Sequence, residues 1–333
     1  MRLRRPRSLF ASVTLALLAS SVFAQDATMK AVRLHAVGGP DALVYEDAPR
    51  PTPGPGQALV RVHAAGVNPV DWKLASGAFP GVPRAFPFIP GSDVSGVIES
   101  VGEGVTTFKP GDEVFAYFDL LGAGGYAEFV AIDEKALARK PESIDHAHAA
   151  GVPLAALTAW QALVEIADLQ PGQTVLVQGG AGGVGHFGVQ IAKAKGARVI
   201  ATASAGNRKF LESIGVDVII DYRAERFEDR AHDVDIVLDT VGGDTLARSY
   251  AVVKEGGIVV TIAGRMDNSQ LAANKIRGTG MLVQPNGEHL AQIAALIDAG
   301  KIDPHVDEEY PLEDAAKAWE SIKSGHSTGK RVL

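Results

Sequence analysis

The chain has 333 residues, which suits two domains, and 46% of them are hydrophobic, enough for real cores. A formal net charge of -7 argues against nucleic acid as a partner. The complete lack of cysteine excludes disulfides, thiol catalysis and any Cys-ligated zinc.

The first residues, Met1-Arg-Leu-Arg-Arg-Pro-Arg7, are basic, and a short apolar stretch from Ser8 to Ser20 follows them. Small residues up to Ala24 complete the pattern of a secretory signal, residues 1–24, cleaved before Gln25. The apolar run is too short to span a bilayer, so the mature form carries no integral membrane span. Export makes the protein periplasmic or secreted; translation from Met29 makes it cytoplasmic. From Lys30 to about Ile132 the chain reads as short alternating strands divided by Gly, Pro and Asp. Examples lie at 58–62, 96–101, 112–116 and 126–131, the pattern of a mostly antiparallel β domain. After Pro153 strands alternate with helices. Strands are expected at 174–178, 198–203, 217–220, 235–239 and 258–262, with a last one near 280–283. Runs apolar on both faces imply a parallel sheet covered on each side. Beyond Glu288 the pattern gives a helix, an extended 306–310, and a second helix from Leu312.

The most informative stretch begins at Thr174. Its apolar run Thr-Val-Leu-Val-Gln178 meets Gly179-Gly-Ala-Gly-Gly-Val-Gly185, and a helical pattern follows in which Val184, Phe187 and Ile191 form one stripe. Gly180, Gly182 and Gly185 spell G-x-G-x-x-G between a strand and a helix, the context that dinucleotide binding requires. Gly180 is expected at the tight turn, Gly182 against a pyrophosphate with Gly183 and Val184 beside it, and Gly185 where helix and strand pack closely. The free N–H groups of the helix start would hold the phosphates. In NAD-binding versions an acidic residue about 20 positions further on accepts the ribose hydroxyl. That place falls near Ser204, and Arg208 and Lys209 follow with no carboxylate before Glu212. A 2′-phosphate suits such cations, so the expected cofactor is NADP(H). Solvated cations opening a helix would explain Arg208 and Lys209 but not the missing acid.

Two further segments matter: Ala64-Ala-Gly-Val-Asn-Pro-Val-Asp-Trp-Lys-Leu-Ala-Ser-Gly77 and Pro90-Gly-Ser-Asp-Val-Ser-Gly-Val-Ile-Glu-Ser-Val-Gly-Glu-Gly104. With the glycine stretch they make the chain resemble, from Met29 to Leu333, the zinc-independent medium-chain dehydrogenases/reductases of the quinone oxidoreductase (zeta-crystallin-like) group. The resemblance implies an α/β protein: a GroES-like, mostly antiparallel β domain plus a Rossmann domain with a doubly wound, six-stranded parallel sheet. It divides the chain into a catalytic domain (25–152), a cofactor domain (153–285) and a C-terminal segment (286–333) that completes the first. It also implies a homodimer. Where zinc-dependent members carry metal ligands, this chain has Asn68, Ser92 and Leu154, whose amide, hydroxyl and alkyl groups make no zinc site. The pair His146 and His148 lacks a nearby third ligand, so no metal is expected.

Without a metal, hydride addition to a quinone or to the β-carbon of an enone is the accessible chemistry, because the charge delocalises and modest hydrogen-bond donors suffice. The expected substrate is thus a small-molecule electrophile. Asn68 is the candidate donor to its carbonyl, with a turn asparagine before Pro69 as the alternative. Lys73, where many relatives carry Tyr, is a second donor candidate or a solvated lysine. Asp71 orients Lys73 or caps the helix. Thr158 matches a position that relatives place near the nicotinamide; otherwise it is an ordinary helix threonine. Tyr222 and Lys330 are candidates for the cofactor's phosphates or simply surface. Trp72, Phe79, Tyr117 and Phe118 line an apolar pocket or build core. The competing functions are a zinc-free alcohol or aldehyde oxidoreductase and a catalytically silent NADPH-binding protein.

Overall fold

The computed structural model describes residues 27–78, 85–118, 120, 124–323, 325 and 327–333. The signal-like segment 1–24 and Phe79 lie outside these residues. In chain order the first part contains β1 (Thr28–Leu34), β2 (Leu43–Pro49), β3 (Gln57–Val67), α1 (Pro69–Ala75), β4 (Asp93–Val101), β5 (Glu113–Tyr117), β6 (Phe129–Asp133), β7 (Leu137–Arg139) and α2 (His146–Ala150). The middle part runs α3 (Pro153–Trp160), β8 (Thr174–Gln178), α4 (Gly183–Ala194), β9 (Arg198–Ala203), α5 (Arg208–Ser213), β10 (Val218–Asp221), β11 (Val234–Asp239), α6 (Gly243–Ser249), β12 (Val253–Thr261), α7 (Asn268–Ala273) and β13 (Arg277–Gly280). The last part contributes α8 (Gly287–Asp298), β14 (Val306–Glu309), α9 (Ala315–Lys323) and β15 (Lys330–Val332).

The middle strands form one six-stranded sheet in the order β10-β9-β8-β11-β12-β13, with every pair parallel. The order reverses direction at β8, so the crevice at its C-terminal end is the topological switch point where ligands bind in such sheets. The other large sheet has seven strands and runs β14-β15-β3-β4-β5-β7, with β6 on β3. Only β14 and β15 are parallel there, and β15 reaches back to pair with Gly66 and Val67 of β3. The C-terminal segment thus closes the first sheet. β1 and β2 make a separate hairpin beside it.

Sequence-derived strand positions differ most where polarity misleads. β3 extends well past Val62, and β12 starts at Val253, before the exposed Lys254-Glu-Gly256 that interrupts its apolar run. The last parallel strand is Arg277–Gly280, short of the expected position. β15 was not expected, because Lys330 and Arg331 break any apolar pattern. Helix α4 is buried continuously from Gly185 to Ala192, which is more than the expected stripe. One face meets β8 and β9, and α3, itself fully buried, covers another. Phe187 and Ile191 are completely buried, each worth about 2 kcal/mol of transfer free energy.

Candidate active site

Between the two sheets lies a cavity of about 460 Å³, within the usual size of a cofactor pocket. Val67, Asn68 and Pro69 line one part of it, Gly182, Gly183 and Val184 another, and Ser204, Asn207 and Tyr222 a third.

The glycine loop is tied down from below. The Gly179 N–H donates to Thr202 Oγ1 at 3.0 Å, the Gly180 N–H to the Thr202 carbonyl at 2.8 Å, and Thr202 Oγ1 to Gln178 Oε1 at 2.8 Å. The residue with positive φ is Gly179 (+73°), not Gly180. Gly180 is needed for another reason: a Cβ there would stand 2.7 Å from the Ala201 methyl. A Cβ on Gly185 would lie 2.1 Å from the Gly179 oxygen, so helix and strand approach as closely as expected of the third glycine. At Gly182 the nearest atom would be 3.4 Å away, so a side chain there would project beside the helix start. Gly182 is the N-cap of α4, and no side chain caps it. Among the described residues this helix start therefore presents backbone donors to the cavity, as a pyrophosphate requires.

In the third part, Ser204 and Asn207 line the wall, and Tyr222 is half exposed. Asn207 accepts a hydrogen bond from Thr328 Oγ1 at 2.8 Å. Arg208 and Lys209 do not line the cavity. Both are exposed at the start of α5, with Arg208 4.0 Å from Glu212. Thr158 is buried and its hydroxyl donates to the Leu154 carbonyl at 2.7 Å, the ordinary behaviour of a helix threonine.

The densest polar cluster surrounds Asn68. This residue follows β3 as the N-cap of α1, in extended conformation as the residue before a proline is, and Pro69 opens α1 at a position where no backbone donor is needed. Asp71 Oδ2 accepts the Asn68 N–H at 2.8 Å and the Tyr126 hydroxyl at 2.9 Å, while Trp319 Nε1 donates to Tyr126 at 3.2 Å. Asp71 therefore caps the helix and does not orient Lys73. Lys73 is exposed, its ammonium 5.8 Å from the Trp72 ring centre, and it does not line the cavity. The Asn68 amide nitrogen donates to Asp93 Oδ2 at 2.8 Å, and Asp93 Oδ1 accepts the Leu154 N–H at 2.8 Å. Lys330 donates to Asn68 Oδ1 and, at 3.2 Å, to the Val67 carbonyl, with Asp93 Oδ2 3.9 Å away. Its ammonium thus points at Asn68, not at the phosphate loop; only its Cδ approaches that loop, 3.3 Å from where a Gly183 Cβ would be.

Burial sets the protonation of this cluster. Desolvation pushes Asp71 up to about 7 against the hydrogen bonds from Asn68 and Tyr126. It pushes Asp93 up to about 6, with the nearby Lys330 charge opposing it. Desolvation also lowers Lys330, which the two carboxylates counteract. Asp93 was missed in the sequence. The signal was weak: Asp93 opens β4 beside the apolar Val94, and a carboxylate buried at such a place needs a partner.

The remaining expectations resolve differently. Tyr117 and Phe118 are buried in the cores, and partly buried Trp72 packs against the second of them, so none of the three lines the cavity. His146 bonds Ser95 through Nδ1 at 2.8 Å, and His148 bonds Asp145 at 2.7 Å. They serve separate local contacts, and no group of three His, Cys, Asp or Glu among the described residues could hold a metal. No helix among those residues is long and apolar enough to cross a membrane.

A switch-point crevice with a glycine loop, joined to a GroES-like sheet that its own C-terminus completes, defines a dinucleotide-dependent oxidoreductase. Residues 54–142 match the alcohol dehydrogenase GroES-like domain family and residues 214–333 the zinc-binding dehydrogenase family. The chain is 35% identical to a chloroplast envelope quinone oxidoreductase homolog of Arabidopsis thaliana, over 92% of this chain and 98% of that protein. It is 38% identical to the NADPH-dependent alkenal/one oxidoreductase of the same plant's chloroplast, over 92% of this chain and 79% of that one. The crystal structure of Escherichia coli quinone oxidoreductase complexed with NADPH superimposes with a TM-score of 0.83 at 28% identity, covering 92% of this chain and 99% of that one. The chain belongs to the quinone oxidoreductase group of the medium-chain dehydrogenases/reductases. It is an oxidoreductase that binds a nicotinamide dinucleotide.

Proposed function

We propose that the protein uses NADPH to reduce quinones or the C=C bond of α,β-unsaturated carbonyls, without zinc. The observation that carries this reading is the Asn68 amide, lining the cavity that also holds the glycine loop, with both of its ends fixed by charged partners. Bound NADPH would supply the hydride. Asn68 would donate an amide hydrogen to the substrate carbonyl and stabilise the negative charge that develops on its oxygen. Gly182, Gly183 and Val184 would hold the pyrophosphate at the start of α4. Ser204, Asn207 and Tyr222 offer neutral hydrogen-bonding groups to a 2′-phosphate, with Arg208 and Lys209 adding positive charge nearby. Zinc independence is supported by the donor chemistry: the Asn68 amide already serves Lys330 and Asp93, and Ser92 and Leu154 offer no imidazole or thiolate. Lys73 stands outside the cavity and has no part in this reading. The same reading takes residues 25–152 with 286–333 as the catalytic domain, 153–285 as the cofactor domain, 1–24 as a removable export signal, and a homodimer as the assembly.

The test is NADPH oxidation by purified protein offered a small enone, an ortho-quinone and a saturated ketone. Turnover of the first two but not the third is expected, and Asn68→Ala should lower kcat by roughly a hundredfold, as loss of an oxyanion donor does. Equal turnover of the saturated ketone would point to an alcohol or aldehyde oxidoreductase. Tight binding without any turnover would point to a silent NADPH-binding protein.

A further inference from the structure

Asparagine presents two ends of nearly equal shape but opposite hydrogen-bonding sense, and the partners around Asn68 distinguish them chemically. An ammonium has only donors, so Lys330 can face nothing but Oδ1. An ionised carboxylate has only acceptors, so Asp93 Oδ2, 2.8 Å away, can face nothing but Nδ2. The flipped amide would set an NH2 group against an ammonium and an oxygen against a carboxylate. The clamp is itself braced. Asp93 Oδ1 is held by the Leu154 N–H at 2.8 Å, and the Asn68 backbone by Asp71 at 2.8 Å. Gly66 makes room for this arrangement, since a Cβ there would lie 2.4 Å from the Ala150 oxygen and 2.9 Å from the Asp93 Cβ. Lys330 has three N–H groups and three neighbours: the Val67 carbonyl, Asn68 Oδ1 and Asp93. Asp93, Asn68 and Lys330 are all buried, so these contacts act with little competition from water.

We infer that Asp93 and Lys330 are positioning residues, which lock the Asn68 amide with its second N–H free for the substrate carbonyl, and that Lys330 is not a phosphate ligand. This inference rests on the reading of Asn68 as the carbonyl donor. It deepens that reading by assigning an electrostatic lock contributed by three separate parts of the chain: the N-cap of α1, the start of β4 and the start of β15.

The experiment uses the full chain and compares Lys330→Met, the charge-free pair Asp93→Asn with Lys330→Met, and Asn68→Ala with and without Lys330→Met. NADPH Kd is read by fluorescence titration, kcat and KM by turnover of a small enone, and folding by thermal melting. Lys330→Met should lower kcat about tenfold or more while NADPH Kd changes less than about threefold. In the Asn68→Ala background the same change should lower kcat no further. Should the single variant fail to fold, the charge-free pair leaves no carboxylate at position 93 to miss its cation and carries the same expectation. A tenfold rise in NADPH Kd at unchanged kcat would make Lys330 a phosphate ligand and overturn the inference. So would an equal kcat loss with and without Asn68. Full activity of Asn68→Ala alone would instead remove the donor reading on which the inference stands.

Discussion

Replacing Gly185 by alanine tests the packing that shapes the cofactor loop. The added Cβ would stand 2.1 Å from the Gly179 oxygen and 2.9 Å from both the Gly179 carbon and the Gly180 Cα, all backbone atoms. Ordinary contact is 3.4–4 Å, so the two segments would have to part by roughly 1 Å. Neither moves freely. The Gly179 N–H is bonded to Thr202 Oγ1 at 3.0 Å, the Gly179 oxygen accepts the Gly182 N–H at 3.0 Å, and α4 is pressed from behind by α3. Overpacking costs about 1–3 kcal/mol, and a strained loop hydrogen bond about 1 more. Alanine returns about 1 kcal/mol through its better helix propensity. The net loss is about 2 kcal/mol, a drop of about 3 °C in melting temperature for a chain of this size. Gly182→Ala is the matched control, because its Cβ meets nothing closer than 3.4 Å. Thermal melting should separate the two: Gly185→Ala destabilised, Gly182→Ala close to wild type. NADPH titration should then show weaker binding for both, through a displaced loop in one and a methyl group at the phosphate position in the other. If Gly185→Ala melts like wild type, the close approach of helix and loop is not what fixes this site.

Burial raises Asp71 from 3.8 to about 7, so folding holds its proton more tightly than the unfolded chain does. Such a group adds stability at low pH, and the contribution is lost as the pH rises from about 4 through about 7. Asp71→Asn removes that dependence, and its melting temperature should gain on wild type from about pH 4 to about pH 7 and level off above it; a constant offset would mean Asp71 does not titrate in this range. Ser204→Asp would set a carboxylate against a 2′-phosphate, so NADPH should bind at least about tenfold more weakly while NADH binding holds or improves. Unchanged selectivity would move the 2′-phosphate site elsewhere. Turnover should survive prolonged chelation and remain unchanged on adding zinc, since Asn68, Ser92 and Leu154 offer no soft ligand set; activity that zinc restores would refute the metal-free reading.

The centre of the parallel sheet was easy to read from the sequence because β8 and β9 are buried on both faces, so 175–177 and 199–201 stand out as apolar runs. The glycine loop was equally plain, yet its tight turn falls one residue earlier than expected. Gly179 takes the positive φ because the turn begins as soon as β8 ends, and no periodicity reports on backbone sign. β15 could not be read at all. Its three residues begin with two cations that are buried only because Asp93, Asp307 and Glu308 meet them from distant parts of the chain.

That failure and the site have one cause. An isolated buried lysine is costly, and a sequence pattern therefore assigns Lys330 to the surface or to a ligand's phosphate. An isolated buried aspartate at position 93 is costly for the same reason. Together, with the Asn68 amide between them, each charge becomes the other's partner, and the pairing survives desolvation only while all of its hydrogen bonds are made. A polar lock of this kind gains little stability over an apolar core of the same volume, yet it holds one amide in one orientation. The chain places it where the two sheets meet, at the wall of the cavity, and not in either core. Orientation of a hydrogen-bond donor, more than stability, is what three buried polar side chains at that position supply.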